Sequence, residues 1–449
     1  MGSMRLPPGP PEPAALQMSE WIVRPTALLR RCQARYGEPF TLRIAWSDAP
    51  MVFVSDPADI KRVFAAGPDV LRAGESSSVL EPFAGPNSIL LLHGAEHLRQ
   101  RRLMLPPFHG EALARWRETI VALAAAELDT WTPGAPVRAL GRMQALTLEA
   151  ILRVVFGAGD AELRDAIRRT LDMTTSMPRL VAMSLVQRPV GPWRTFMRAV
   201  RRLDALIYER IDARVDDGSV LAILRSARHE DGSPPSREEL RDQLVTLLAA
   251  GHETTAGALG WALERLARHP DVLARLRAGD DAYLDATLKE VLRVRPVLSI
   301  VARKTLRPFD VGGWTLPPGV HVTPCIYLAH RRPDLWDDPT SFRPERFLDG
   351  APEPYAFIPF GGGTRRCLGA AFATLEMREV LRAVAARFAL APDRAEGERM
   401  RRRSITLTPS RGGYVIAEPL ASSAARHADV LPPQPLDREL PDMQPRASG

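Results

Sequence analysis

At 449 residues the chain is longer than a single hydrophobic core usually grows, and its 45% hydrophobic and 25% charged residues fit a globular protein, not a disordered one. The formal charge of +7 comes from dispersed arginines without a basic block or aromatic–basic interleaving, which argues against a nucleic-acid binder. No run reaches the roughly 18 apolar residues of a membrane span, and Arg5-Leu6-Pro7-Pro8-Gly9-Pro10 stands where an apolar leader would begin. The expected protein is therefore cytoplasmic, without a membrane anchor.

In chain order, Phe40-Thr41-Leu42-Arg43-Ile44 and Met51-Val52-Phe53-Val54 read as two strands of a hairpin. Helical patterns dominate from about residue 93 to 295. His97 and Arg101 stand at i and i+4, on one helical face. The longest helix starts at Ser236-Arg237-Glu238-Glu239, a capping box, and closes at His269-Pro270, a length of about 45 Å. Midway lies Ala250-Gly251-His252-Glu253-Thr254-Thr255, where two small residues would let a flat ligand approach and permit a local bulge. Taken alone, these six residues are a glycine-weakened helix with a solvated polar face. Glu290 and Arg293, at i and i+3, meet on one face, a spacing common in surface pairs. The run Phe342-Arg343-Pro344-Glu345-Arg346-Phe347 adds another arginine. Then comes Phe360-Gly361-Gly362-Gly363-Thr364-Arg365-Arg366-Cys367-Leu368-Gly369. Gly361, Gly363 and Gly369 allow a tight loop with positive φ, Cys367 would face a flat ligand, and Arg365 would hold an anionic edge. By itself Cys367 could equally be a buried thiol beside a glycine turn. Cys32, Cys325 and Cys367 lie too far apart in sequence for a metal cage or disulfide framework. Residues 421–449, rich in proline, read as a tail without its own core, leaving 1–420 as one domain.

The run from Phe360 to Gly369 resembles the haem-binding signature of the cytochrome P-450 family, Phe-x-x-Gly-x-Arg-x-Cys-x-Gly. The segment at Ala250 resembles that family's oxygen-activation motif, and Glu290-Val291-Leu292-Arg293 its Glu-x-x-Arg. The resemblance implies a mainly α fold with small β-sheets in a single large domain. It implies haem b with Cys367 as the metal ligand, bordered by Phe360, Gly369, Ala250 and Gly251, and with His97, Arg101, Arg303 and Arg365 on its propionates. Thr254 and Glu253 would be catalytic, handling protons and dioxygen. Glu290, Arg293 and Arg346 would form a structural network. Leu247, Val297, Ile300, Val301 and Leu407 would line the substrate pocket, with Met173, Met177, Met183 and Met197 near its lid.

The implied function is monooxygenation of a hydrophobic small molecule of terpenoid, steroid, fatty-acid or polyketide type. No flavin or iron–sulfur segment is fused, so electrons would come from a separate ferredoxin and ferredoxin reductase, and a monomer is expected. The competing readings are a haem-thiolate peroxygenase or isomerase and a non-enzymatic haem gas-binding protein. The intact Glu253-Thr254 pair favours the monooxygenase.

Overall fold

The computed structural model describes residues 5–44, 49–74, 80–157, 160–174, 191–213 and 215–420. The tail at 421–449, Met177 and Met183 lie outside them, as does part of the expected lid region.

The expected hairpin forms. β1 (Phe40–Leu42) pairs antiparallel with β2 (Met51–Val54), placing Phe40 opposite Phe53 with their rings stacked at 5.2 Å. With β3 (Leu71–Arg72), β4 (Arg303–Thr305) and β5 (His321–Pro324) they make a five-stranded sheet ordered β1-β2-β5-β4-β3. Only the β2–β5 pairing is parallel. Near the C-terminus, β6 (Met400–Arg403) and β7 (Thr406–Pro409) form a separate hairpin.

Helices carry the rest. Those that bear on the site are α1 (Gly94–Met104), α2 (Gly110–Asp129), α3 (Ala139–Phe156), α4 (Ala161–Thr174), α5 (Gly191–Ala213), α6 (Arg237–Arg268), α7 (Asp281–Val294) and α8 (Ala370–Arg387). The 32-residue α6 begins as its sequence predicts. Ser236 Oγ accepts the Glu239 N–H at 3.0 Å, and the Glu239 carboxylate accepts the Ser236 N–H at 2.7 Å. At 1.5 Å per residue α6 is about 48 Å long, enough to cross the molecule. Such a helix buries most of its circumference, and its anchors are specific: Trp261 Nε1 donates to Leu407 O at 2.9 Å, and Gly260 lets the α3 backbone at Leu140 come close.

Two apolar clusters meet along α6. Leu240, Leu244, Val245 and Leu248 belong to one, packed with α3 and α5, whereas Ala256, Leu259, Trp261 and Leu263 belong to the other, packed with α7 and α8. The polar segment at 250–255 lies between them. The cysteine loop spans the same seam, because Phe360 packs on the second cluster while Leu368 and Phe372 pack on the first. The hydrophobic core is thus split where the chemistry-bearing residues stand.

Candidate functional site

The loop before α8 is shaped by glycine. Gly361 and Gly363 have φ of 66° and 64°, and a Cβ on Gly363 would stand 2.3 Å from Phe64 O. Gly362 is extended, yet a Cβ there would meet the Phe64 ring at 2.3 Å, a requirement the sequence did not suggest. Gly369 departs from expectation: its φ is −86°, and nothing lies within 4 Å of where its Cβ would be. No contact within the protein demands glycine there.

The Cys367 N–H donates to Phe360 O at 2.9 Å, which closes the loop. Its side chain opens onto a hollow of about 630 Å³ lined by Arg101, Arg117, Arg366, Arg378 and Arg382 and by Asp281 and Glu379, which pair with Arg117, Arg378 and Arg382. Surrounding protein nonetheless crowds the sulfur, and burial pushes the thiol up from its ordinary range. The Gly369 N–H, Arg101 and Arg366 act in the opposite direction, favouring the thiolate.

Four basic side chains gather along the loop's flank. His97 and Arg101 come from α1, Arg303 from β4, and Arg365 from the loop. Among the described residues, none of the four meets a carboxylate. Arg303 donates to Ala302 O at 2.9 Å, and Arg365 donates to Ile89 O at 3.0 Å and to Leu92 O. Burial, then Arg365, Arg101 and Arg303, lower His97 to about 3. Burial, then Arg303 and Arg101, lower Arg365 to about 10, and burial alone takes Arg303 to about 10. His97 is thus neutral, and gathering three half-buried arginines around it without counter-charge is costly unless an anion joins them. The cluster therefore fits a ligand with a doubly anionic edge.

The backbone that receives Arg365 is itself tied to α6. Asp242 accepts from Asn87 N at 2.9 Å and Asn87 Nδ2 at 3.0 Å, Gln243 Oε1 accepts from Ile89 N at 3.2 Å, and the Ser88 and Thr246 hydroxyls lie 2.7 Å apart. Arg241 joins Asp242 to Asp204 of α5 and donates to Phe83 O. Residues 83–92 thus form a strap between the long helix and the cationic edge.

On α6, Leu247, Ala250, Gly251 and Thr254 recur at i, i+3, i+4 and i+7 and so share one face. Ala250 is exposed and the other three half-buried, although most of the helix is buried. This open face in a core helix fits a flat ligand. The expected bulge does not form: residues 250–255 are α-helical, and Thr254 Oγ1 donates to Ala250 O at 2.6 Å. At Gly251 a Cβ would point at Ile151 of α3, 3.1 Å away, so the glycine also serves helix packing. Glu253 Oε2 accepts from Gln144 Nε2 at 2.9 Å, and its Oε1 lies 2.8 Å from Arg403 Nε. His252 is buried, with its Nδ1 3.1 Å from the Thr147 hydroxyl, and burial lowers it to about 4.

The charged network around α7 is complete. Glu290 takes both Nε (2.7 Å) and Nη2 (2.8 Å) of Arg293, the Arg343 N–H (2.8 Å) and Arg346 Nε (3.2 Å). Arg293 also donates to the carbonyls of His330, Pro339 and Ser341. The pocket candidates are scattered. Val297 O accepts the Leu407 N–H at 2.7 Å, joining those two, and Leu407 is fully buried. Ile300 packs on the cluster around Trp21 and Leu29, and Val301 on that around Val54 and Ile60. Met173 and Met197 pack on the cluster of α3 and α5.

One acidic residue escaped sequence reasoning. Glu376 of α8 is buried, its Oε1 has no hydrogen-bond partner, and burial raises its pKa well above the carboxylate range. Its signal was positional: Phe372, Glu376, Val380 and Val384 stand four apart, so the acid lies on the buried stripe.

A cysteine presented by a glycine loop stands beside an arginine-rich edge and a core helix with one open face, an arrangement with room for a flat, anionic ligand. The family described as Cytochrome P450 matches residues 7–416. "Putative cytochrome P450 135B1" of Mycobacterium tuberculosis is 41% identical over 92% of this chain and 91% of its own length. "Putative cytochrome P450 138" of the same organism is 39% identical over 92% of this chain and 96% of its own length. Among solved structures, "Retinoic acid bound cyanobacterial CYP120A1" superposes with a TM-score of 0.84 at 25% identity, covering 93% of this chain and all of that one (100%). The "cytochrome P450DA heme domain" has a TM-score of 0.83 at 23% identity, over 93% of this chain and 98% of its own, and supports the fold. The chain belongs to the cytochrome P450 family, oxidoreductases that bind haem and are generally haem-thiolate monooxygenases. Among the described residues no helix is long and apolar enough to cross a membrane.

Proposed function

We propose that the protein binds haem b through Cys367 and inserts one oxygen atom from dioxygen into a hydrophobic small molecule. The observation that carries this reading is the set of a buried, neutral His97 and three half-buried arginines, Arg101, Arg303 and Arg365, beside the cysteine loop, which lack any carboxylate among the described residues. Haem propionates are the anions that complete them, while Phe360, Gly369 and the face at Ala250 border the ring. Haem supplies the oxygen activation when bound.

The protein's own residues supply the rest. The Gly369 N–H, with Arg101 and Arg366, stabilises the Cys367 thiolate. Thr254 presents a hydroxyl on the open face of α6, and Glu253, held by Gln144, moves protons toward it. Leu247, Val297, Ile300, Val301 and Leu407 are the proposed substrate contacts, and their apolar character favours a terpenoid, steroid, fatty-acid or polyketide-like molecule. Electrons come from a separate ferredoxin and its reductase. The arginine-rich hollow reaching Cys367 suits an acidic partner. A cytoplasmic location and a monomer complete the proposal, with 1–420 as the catalytic domain and 421–449 as a tail.

The test is the carbon-monoxide difference spectrum of the reduced protein. A strongly red-shifted Soret band that disappears in Cys367→His supports thiolate ligation. The position typical of nitrogen ligation in both proteins contradicts it.

A further inference from the structure

The acid of the proposed proton relay is held among three elements, and a fourth is reached through its arginine partner. Glu253 sits on α6, and its Oε2 accepts a hydrogen bond from Gln144 of α3 and lies 3.8 Å from His252 Nε2. Its Oε1 lies 2.8 Å from Arg403 Nε, on β6. Arg403 Nη2 in turn lies 3.7 Å from Asp172 Oδ1 of α4.

The contacts at Gln144 and Arg403 differ in kind. Gln144 makes an aligned hydrogen bond. At Arg403 both facing atoms are buried, yet neither Glu253 Oε1 nor Arg403 Nε completes a hydrogen bond. The pair is held by charge rather than direction. Coulomb attraction falls only slowly with distance, whereas a hydrogen bond weakens steeply once misaligned. The carboxylate is therefore hinged at Oε2 and loosely held at Oε1, and Oε1 keeps lone pairs free to accept a proton.

The hairpin places that arginine next to an open apolar tip. Arg403 pairs with Thr406, closing the β6–β7 turn, in which Ser404 adopts a φ of 54° and Ile405 is 55% exposed. The flanking Arg402 and Thr406 are buried. One residue, Ser404, separates Arg403 from the exposed isoleucine.

We infer that Arg403 is a positioning residue for proton delivery: from the β6–β7 hairpin it holds the Gln144-hinged carboxylate of Glu253 by charge alone, leaving Oε1 free to carry protons. This rests on the monooxygenase reading above.

Two measurements on the haem-loaded protein test it. The first is NADPH-driven oxygen uptake with an added ferredoxin and ferredoxin reductase, in water and in deuterium oxide. Arg403→Gln lowers uptake per haem about tenfold and raises the solvent isotope effect, a loss below the roughly hundredfold that a positioned acid or base contributes. Arg403→Lys keeps the charge and stays within about threefold, and haem content is unchanged in both. The second is a double-mutant cycle on the urea midpoint, using Arg403→Gln and Glu253→Gln. The double variant shifts less than the sum of the single ones if the two side chains interact. Additive shifts, or wild-type uptake and isotope effect in Arg403→Gln, overturn the inference. No uptake in the wild type contradicts the monooxygenase reading instead, and the urea cycle then decides the contact alone.

Discussion

Two clusters of charged and basic side chains are built on opposite principles. Around Glu290 every charge is answered: two arginines, a backbone N–H and three carbonyls converge on one carboxylate and its partner. Around His97, Arg101, Arg303 and Arg365 no carboxylate answers among the described residues. A completed cluster contributes to the fold by itself, whereas an incomplete one destabilises it until a ligand arrives. Charge balance thus separates residues that hold the protein together from residues that hold its cofactor.

The contrast breaks first at Glu290. Glu290→Gln leaves the Arg293 charge buried and uncompensated, and should cost about 3–5 kcal/mol of stability, read as lost folded yield and a lower urea midpoint. Arg303→Gln should do the reverse, because it relieves cationic crowding. Its urea midpoint should hold while haem transfer to a competing apoglobin accelerates about tenfold, the worth of a charge-assisted hydrogen bond. Loss of stability without faster haem loss would show that Arg303 belongs with the structural cluster.

Glycine sharpens the same division. Gly363→Ala must accept a φ of 64° and a clash with Phe64 O, at a cost of about 2 kcal/mol or more. Gly369→Ala meets neither strain nor contact. It should leave the urea midpoint within about 0.5 kcal/mol of wild type and act only on haem retention. Equal destabilisation by both would remove the distinction.

The remaining test is a pH slope. His330 is buried beside Arg293, its Nε2 accepts the Ile358 N–H at 2.9 Å, and burial, then Arg331 and Arg293, lower it to about 3. The unfolded chain takes up this proton near pH 6.5, so stability is complete above that value and is lost as pH falls toward 3. The contribution approaches about 1.4 kcal/mol per pH unit. His330→Gln, which offers an acceptor and does not titrate, should flatten the slope of urea midpoint against pH.

What the sequence made legible was local. The capping box at Ser236, the hairpin of the runs at 40–44 and 51–54, and the i, i+3 meeting of Glu290 with Arg293 each follow from short-range spacing. Arg346 was also placed on Glu290, through family resemblance. Long-range pairings were not legible. Nothing near Glu253 announces Arg403, because their contact depends on the hairpin register that turns Arg403 toward α6. The strap ties between Asn87 and Asp242 have the same origin. Gly362 carried no signal of its own, because the neighbour that requires it, Phe64, lies on a distant helix.

That strap has a consequence for recombination. Residues 83–92 bond to a stretch of α6 and to Arg365, so the three segments form one inherited unit, although more than 270 positions separate Ile89 from Arg365. Chimeras with a relative should fold and load haem when all three come from the same parent. A crossover that separates them leaves the partners of Asn87, Ser88 and Ile89 to chance. The useful breakpoints in this chain are therefore set by hydrogen-bond partnership across the molecule, not by the borders of its helices.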